Sequence, residues 1–173
     1  LFRSEEKMRI FEFKADDYEI HNRPKLDKIL VELCKRTIEG QRIDAEKYGM
    51  VAACVLDPKN RIVFGVNEAA GDGKRRHAER VAIDRYREKF GEIPEGSIIL
   101  TTLSPCNEYG TEMADERYGE SCTDLINSSP VRKVYAGYSD PSQHNDSNKY
   151  TEETTKNPDI QRLCKKFADT FLE

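Results

Sequence analysis

The spacing of hydrophobic residues changes along the chain, from the period of a helix to that of a strand and back again. Apolar residues recur every three or four positions over 26–38, which predicts an amphipathic helix that begins near Pro24 and ends near Gly40. Two runs rich in β-branched residues follow at 50–56 and 61–66, and the sequence Asp-Pro-Lys-Asn between them is typical of a turn. The pattern therefore predicts a helix followed by a β-hairpin.

The later part of the chain continues this alternation. A helical pattern at 77–89 stops at Gly91, and the apolar run within 97–103 predicts a strand that is buried on both faces. The remaining pattern predicts a short helix from 121 or 122 to 127, a strand at 131–138 and a closing helix at 159–172, with polar loops at 68–73 and 140–148. This order predicts an α/β fold, a three-layer α/β/α sandwich with a mixed central sheet of about five strands.

A single domain accounts for most of the chain. Its 173 residues suit one hydrophobic core, which we assign to 24–173. Residues 1–23 are predicted to be an N-terminal extension, in which Phe11 and Phe13 could add an edge strand. Residues 107–121 are polar and acidic with no apolar period, which predicts a surface insertion. The chain starts at Leu rather than Met, which leaves open that it is a domain of a longer protein.

Composition and charge narrow the functional classes. A net charge of −4 disfavours a protein that binds long nucleic acids through a broad basic face, and it favours a small-molecule substrate. The chain has neither an apolar run long enough to span a membrane nor the apolar core of a signal peptide near its start. Five cysteines without a secretory signal predict reduced thiols and a cytoplasmic protein.

Candidate metal ligands occur at three junctions of predicted elements. His77 and Glu79 open a helix, Cys106 follows a buried strand, and Cys122 opens the next helix. A catalytic zinc ion takes three protein ligands and keeps one position open, and helix N-termini favour the thiolate form of cysteine. In the first turn of a helix, the backbone can direct Glu79 into the same pocket as His77. The pattern therefore predicts a zinc site with an adjacent proton carrier.

Each of these residues also has a structural interpretation. Taken alone, His77 is more often a hydrogen-bonded surface or core residue than a metal ligand, and Cys122 is more often a small core residue. His144, in a polar loop, is the alternative ligand if Cys122 is not one. The other three cysteines, Cys34, Cys54 and Cys164, fall on apolar faces and are predicted to be core residues.

The pattern His-x-Glu followed by Pro-Cys and a second cysteine is the signature of zinc-dependent base deaminases. Over about residues 25–172, the chain resembles the cytidine-deaminase-like superfamily. The resemblance rests on the segments VAACVLDPKNRIVFGVN, RRHAERVAID, IILTTLSPC and CTDLINSSPVRKVYAGYSDP. Most members carry Pro-Cys-x-x-Cys, whereas Tyr109 stands at that position here and 15 residues separate Cys106 from Cys122. Pyrimidine deaminases of the riboflavin pathway are similar in this respect, because they also carry an insert between the two cysteines.

The resemblance implies a hydrolase that acts on the C–N bond of a cyclic amidine and releases ammonia. It implies a Zn²⁺ ion held by His77, Cys106 and Cys122, with Glu79 as the catalytic residue that moves protons. Members of the superfamily often form dimers or tetramers, so the resemblance leaves open that this protein forms a homodimer.

Substrate contacts are also implied by the resemblance. Asn67 corresponds to an asparagine that holds the base or sugar, although it could equally be a turn residue. Backbone groups at Ala78 and around Ser104 would orient the base. Apart from the resemblance, the basic residues beside the motif suggest that Arg75 and Arg76 could hold a nucleotide phosphate by charge-assisted hydrogen bonds. The basic cluster to which they belong could instead be a solvated helix face; it comprises Lys74, Arg75, Arg76, Arg80 and Arg85.

Three functional classes remain. The first is a metabolic deaminase of a free nucleoside, nucleotide or riboflavin-precursor pyrimidine, and the second is a nucleic-acid editing or toxin-type deaminase domain from a longer protein. The third is a structural zinc module. Glu79 disfavours the third, because a structural site closes its fourth position with another ligand. Charge and size favour a small nucleobase-containing substrate over nucleic acid. No membrane partner is predicted.

Overall fold

The computed structural model describes residues 23–43, 51–69, 75–105, 121–139 and 149–172. No helix in these ranges is both long and apolar enough to cross a membrane. The described elements are α1 (Arg23–Ile43), β1 (Ala52–Leu56), β2 (Ile62–Val66), β3 (Glu68–Ala69), β4 (Arg75–Arg76), α2 (Ala78–Phe90), β5 (Ile98–Leu103), α3 (Cys122–Asn127), β6 (Lys133–Tyr138), β7 (Thr151–Thr154) and α4 (Pro158–Leu172).

Five of the strands form one mixed sheet in the order β2-β1-β5-β6-β7. Strand β1 runs antiparallel to β2 and to β5, with Cys54 opposite Leu100, whereas β5, β6 and β7 are mutually parallel. All residues of β1 and β5 are buried, because helices cover both faces of the sheet. The carboxyl ends of β5 and β6 and the start of β1 therefore lie at the same edge of the sheet.

The hydrophobic core has one part on each face of the sheet. On one face, Leu30 of α1 and Phe167 of α4 pack with Cys54 and Leu100 of the sheet. On the other face, α2 and α3 pack against Val55, Ile99 and their neighbours. The structure confirms the predicted three-layer α/β/α sandwich with a mixed sheet of five strands.

The structure differs from the sequence prediction in three elements. Helix α1 continues through Gly40 to Ile43, because a single helical glycine costs only about 1 kcal/mol and does not by itself end a helix. The predicted loop at 68–73 contains β3, which pairs with β4. The fifth strand of the sheet is β7, which the sequence analysis placed in no element. The predicted edge strand at Phe11 and Phe13 lies outside the described residues, as does the predicted insertion at 107–121 except for its last residue, Ser121, which directly precedes α3.

The turn of the β1–β2 hairpin is fixed by Asp57, whose carboxylate is fully buried. It accepts hydrogen bonds from the backbone N–H groups of Lys59 and Arg61, from the Arg61 guanidinium and from the Tyr86 hydroxyl at 2.7 Å. Burial alone would raise the pKa of Asp57, but these hydrogen bonds outweigh it and hold the pKa below its ordinary value. Because Tyr86 belongs to α2, the network ties the hairpin to this helix.

The three cysteines predicted to be core residues are buried. Cys34 of α1 and Cys164 of α4 contact each other, with their Sγ atoms 3.5 Å apart. Burial raises the pKa of Cys54 to about 12, so this thiol is neutral at physiological pH. These side chains fill space in the core, as the sequence predicted.

Candidate active site

The candidate site lies at the edge of the sheet where β5 and β6 end. His77 directly precedes α2, Glu79 lies in the first turn of α2, and Cys122 is the first residue of α3. One ligand atom from each of these three residues lies within 4.8 Å of the other two, so the group could hold a metal ion. The structure thus brings together three of the four residues predicted to form the metal site.

His77 occupies the N-cap position of α2 with an extended backbone, φ −67° and ψ 152°. Its carbonyl oxygen accepts a hydrogen bond from the Val81 N–H at 3.0 Å and so begins the helix. Within a helix, residues two apart point in different directions. Because His77 precedes the helical residues, its imidazole faces the same pocket as the Glu79 carboxylate.

A capping box fixes the position of Cys122. The Ser121 hydroxyl accepts a hydrogen bond from the Asp124 N–H at 3.1 Å, and the Asp124 carboxylate accepts one from the Ser121 N–H at 3.4 Å. Cys122 is buried directly after this cap, and its Sγ atom lies 3.4 Å from His77 Nδ1. The sequence Ser-Cys-Thr-Asp carried this capping signal.

The donor set fits zinc. Nitrogen and sulfur ligands of tetrahedral zinc lie about 2.1 and 2.3 Å from the ion, which separates the two donors by about 3.5 Å. The distance of 3.4 Å between His77 Nδ1 and Cys122 Sγ matches this separation. Cys106, predicted as the third ligand, lies outside the described residues and directly follows Pro105, where the described part of that segment ends.

Thr101 of β5 is a site residue that the sequence analysis missed. Its hydroxyl lies 2.9 Å from Glu79 Oε1 and 2.7 Å from the Leu103 carbonyl oxygen. It donates to an ionised Glu79, and it can accept a hydrogen bond from a protonated Glu79 while it donates to Leu103. Glu79 is only 4% exposed, so the Thr101 hydroxyl supports this buried carboxyl group in both protonation states.

We predict that Thr101→Val lowers kcat about tenfold to a hundredfold with little change in KM. Valine keeps the shape of threonine but removes the hydroxyl that orients Glu79, and hydrogen bonds to charged groups are worth about 1.5–3 kcal/mol. Initial rates of ammonia release would measure the effect, and Thr101→Ser should restore the rate. Thr102→Val is the matched control, because the Thr102 hydroxyl accepts from the Ala52 N–H instead. Equal rates for the two valine variants would contradict the prediction.

Asn67 follows β2 at the same edge of the sheet and is 1% exposed. Its Oδ1 atom accepts a hydrogen bond from the Val51 N–H, and its own N–H donates to the Val51 carbonyl, both at 3.2 Å. The side chain therefore has a structural role at the start of β1. Its Nδ2 group is buried and has no hydrogen-bond partner among the residues that the structure describes, so it is a donor available to a ligand.

Arg76 of the basic cluster is bound by carboxylates of the chain itself. Its guanidinium contacts Glu68 at 2.8 Å and Asp84 at 2.5 Å. Burial would lower the pKa of Arg76, but the hydrogen bonds to Asp84 and Glu68 raise it above its ordinary value. Arg80 is buried, and Arg85 lies near Glu68. The Lys74 residue and the Arg75 side chain lie outside the described part of the chain.

The two residues predicted to orient the base flank this site. Ala78 is the first residue of α2 and is fully buried. Ser104 directly follows β5; its N–H donates to the Tyr138 carbonyl at 2.9 Å, and its hydroxyl donates to Glu152 at 3.1 Å. Ser104 is therefore held in place by β6 and β7.

The fold and the site together have the character of a zinc-binding deaminase domain. Residues 24–138 match the family described as the cytidine and deoxycytidylate deaminase zinc-binding region. The chain belongs to this family. The match and the His, Glu and Cys group agree with the predicted zinc cofactor.

Similar proteins come from riboflavin biosynthesis. The riboflavin biosynthesis protein RibD of Mycobacterium tuberculosis is 42% identical over 62 residues, which are 35% of this chain and 16% of the relative. The diaminohydroxyphosphoribosylaminopyrimidine deaminase/5-amino-6-(5-phosphoribosylamino)uracil reductase of Thermotoga maritima is 26% identical with a TM-score of 0.58, covering 83% of this chain and 41% of that one. RibD of Acinetobacter baumannii has the same fold, with 19% identity, a TM-score of 0.58, and 89% and 40% of the two chains covered. The chain thus matches less than half the length of each of these relatives.

Proposed function

We propose that this protein catalyses the zinc-dependent hydrolytic deamination of a nucleobase in a free nucleoside, nucleotide or riboflavin-precursor pyrimidine, with release of ammonia. His77, Cys106 and Cys122 hold the metal in this proposal. The observation that carries it is a buried carboxylate, Glu79, which lies beside the His77–Cys122 pair and is held by Thr101. A structural zinc site has no use for a carboxyl group positioned in this way.

The chemistry requires one group that both takes and gives protons. A zinc ion held by these ligands would supply an acidified water molecule at neutral pH. Glu79 accepts a proton from the attacking water, which adds to the amine-bearing ring carbon. Glu79 then donates this proton to the adjacent ring nitrogen and afterwards assists protonation of the departing amine. Ammonia leaves and a ring carbonyl remains.

The substrate is bound by polar groups around the pocket in this proposal. The buried Nδ2 group of Asn67 donates to an oxygen of the base or sugar, and backbone groups at Ala78 and Ser104 orient the ring. A role for Arg76 in phosphate binding would require a nucleotide to compete with Glu68 and Asp84 for its guanidinium. Arg75 is the other phosphate contact in this proposal.

Ammonia release from zinc-loaded protein tests this proposal. The panel consists of cytidine, deoxycytidylate, guanine, a phosphoribosylaminopyrimidine and single-stranded oligonucleotides. Turnover of a free compound is expected, and Asn67→Ala should raise its KM. Turnover of oligonucleotides alone would instead indicate a nucleic-acid editing or toxin-type domain. Protein that binds zinc and turns over no member of the panel would contradict the proposal.

A further inference from the structure

We propose that Tyr150, which directly precedes β7, and Glu152 of β7 are positioning residues: Tyr150 braces the start of α3, which carries Cys122, and Glu152 braces the end of β5, after which Cys106 follows in the sequence. This inference rests on the proposed function, because it takes Cys106 and Cys122 as ligands. The two residues lie beyond residue 138, where the match to the family ends. They act through residues near the cysteines, Thr123 and Ser104.

The first brace joins Tyr150 to α3. The Tyr150 hydroxyl shares a hydrogen bond of 3.2 Å with the hydroxyl of Thr123, and both side chains are buried. Thr123 directly follows Cys122 in the first turn of α3. Tyr150 therefore fixes the helix start from which Cys122 points.

The second brace joins Glu152 to the end of β5. Glu152 Oε2 accepts hydrogen bonds from the Ser104 hydroxyl at 3.1 Å and from the Ser139 hydroxyl at 3.2 Å. Ser104 lies two residues before Cys106, and Ser139 directly follows β6. One carboxylate oxygen thus connects the ends of two neighbouring parallel strands, β5 and β6, and holds Ser104 in place.

The geometry of β7 explains why one strand can serve both segments. Alternate residues of a strand share a face, so Tyr150 and Glu152 point to one side and Glu153 to the other. Glu153 pairs with Lys133 at 3.3 Å. In the described sheet β7 is the strand beside β6, from which Glu152 reaches the end of β5 and Tyr150 reaches the start of α3. Groups that hydrogen-bond directly to metal ligands typically change metal affinity about 10- to 100-fold when they are removed, and because these two act one residue further away we expect an effect at the lower end of that range.

The test measures the metal site directly. Tyr150→Phe and Glu152→Ala, made in the full chain and loaded with zinc, should release zinc to a chelator about tenfold faster than the unaltered protein. In the cobalt-substituted protein, both variants should shift the thiolate-to-cobalt absorption band. Glu152→Gln keeps an oxygen acceptor for the serine hydroxyls and should restore the slow release.

Matched controls separate bracing from general stability. Tyr135→Phe also removes a buried tyrosine hydroxyl, which donates to Asp27 at 2.7 Å on the other face of the sheet. Glu153→Gln removes a charge from the opposite face of β7. Both controls should keep the zinc-release rate and the cobalt band of the unaltered protein.

The possible results are distinct. The inference is overturned if Tyr150→Phe and Glu152→Ala release zinc as slowly as the unaltered protein, or if the controls change as much as these variants do. Either result leaves the proposed function intact as long as the unaltered protein binds zinc and deaminates its substrate. Absence of zinc from the unaltered protein would instead overturn the proposed function. If Tyr150→Phe does not fold, Thr123→Val tests the same hydrogen bond from its other end. Where Tyr150→Phe and Thr123→Val both fold, the protein that carries both substitutions should release zinc no faster than either single variant, because both remove the same hydrogen bond.

Discussion

Glu79→Gln is expected to lower kcat for deamination by about 10²- to 10⁴-fold, the range that general acid–base catalysis contributes. Glutamine has the size of glutamate and its side-chain oxygen can still accept the hydrogen bond from Thr101, so the local structure should be kept. It cannot take up the proton of the attacking water. Steady-state ammonia release on the substrate identified from the panel, together with the zinc content of the same sample, would measure the effect.

The control for this variant lies on the same helix. Glu88→Gln makes the same chemical change on the exposed side of α2 and should leave turnover unchanged. Zinc content should be equal in both variants, because His77, Cys106 and Cys122 hold the ion in our proposal. Full turnover by Glu79→Gln with its zinc retained would show that another group moves the protons.

The three-layer arrangement could be predicted because its elements bury continuous apolar faces. The helical period over 26–38 and the run Ile98–Leu103 are properties of consecutive residues, and the turn after Leu56 identifies the hairpin locally. The same holds for the site residues that mark element ends. His77, Glu79 and Cys122 could be assigned to one pocket from their type and their positions at helix starts.

The residues that support the site could not be predicted in the same way. The strand β7 has the sequence Thr-Glu-Glu-Thr, which lacks apolar alternation because it lies at the edge of the sheet with its first two residues exposed. Thr101 resembles any polar residue in a buried strand until α2 brings Glu79 to it, across 22 positions of sequence. Arg76 was assigned to a basic cluster because its pairing with Glu68 and Asp84 depends on folding. Local patterns thus locate the chemical groups, whereas their partners depend on tertiary packing.

The placement of α2 on the sheet also depends on a residue without a side chain. Gly65 is the next-to-last residue of β2, where a Cβ atom would stand 2.5 Å from the Ala82 nitrogen and 2.7 Å from the Ala78 carbonyl oxygen. Both atoms belong to the backbone of α2, so no side-chain rotation can relieve the overlap. An added methyl group would have to push the helix away from β2. Since His77 and Glu79 lie at the start of this helix, the active site would move with it.

We therefore expect Gly65→Ala to lower the free energy of unfolding by about 1–3 kcal/mol or more, the range seen for overpacked cores, and to reduce both zinc retention and kcat. Urea unfolding, zinc content and ammonia release would measure the three effects. Gly91→Ala is the control: Gly91 has φ +86° and ψ −151°, a conformation that essentially only glycine adopts, and open space around its Cβ position, so alanine there costs about 1–3 kcal/mol of backbone strain at the far end of α2 without pressing on β2. It should keep its zinc and its turnover. A Gly65→Ala protein that matches this control in zinc content and rate would mean that α2 does not need its close contact with β2 to hold the site.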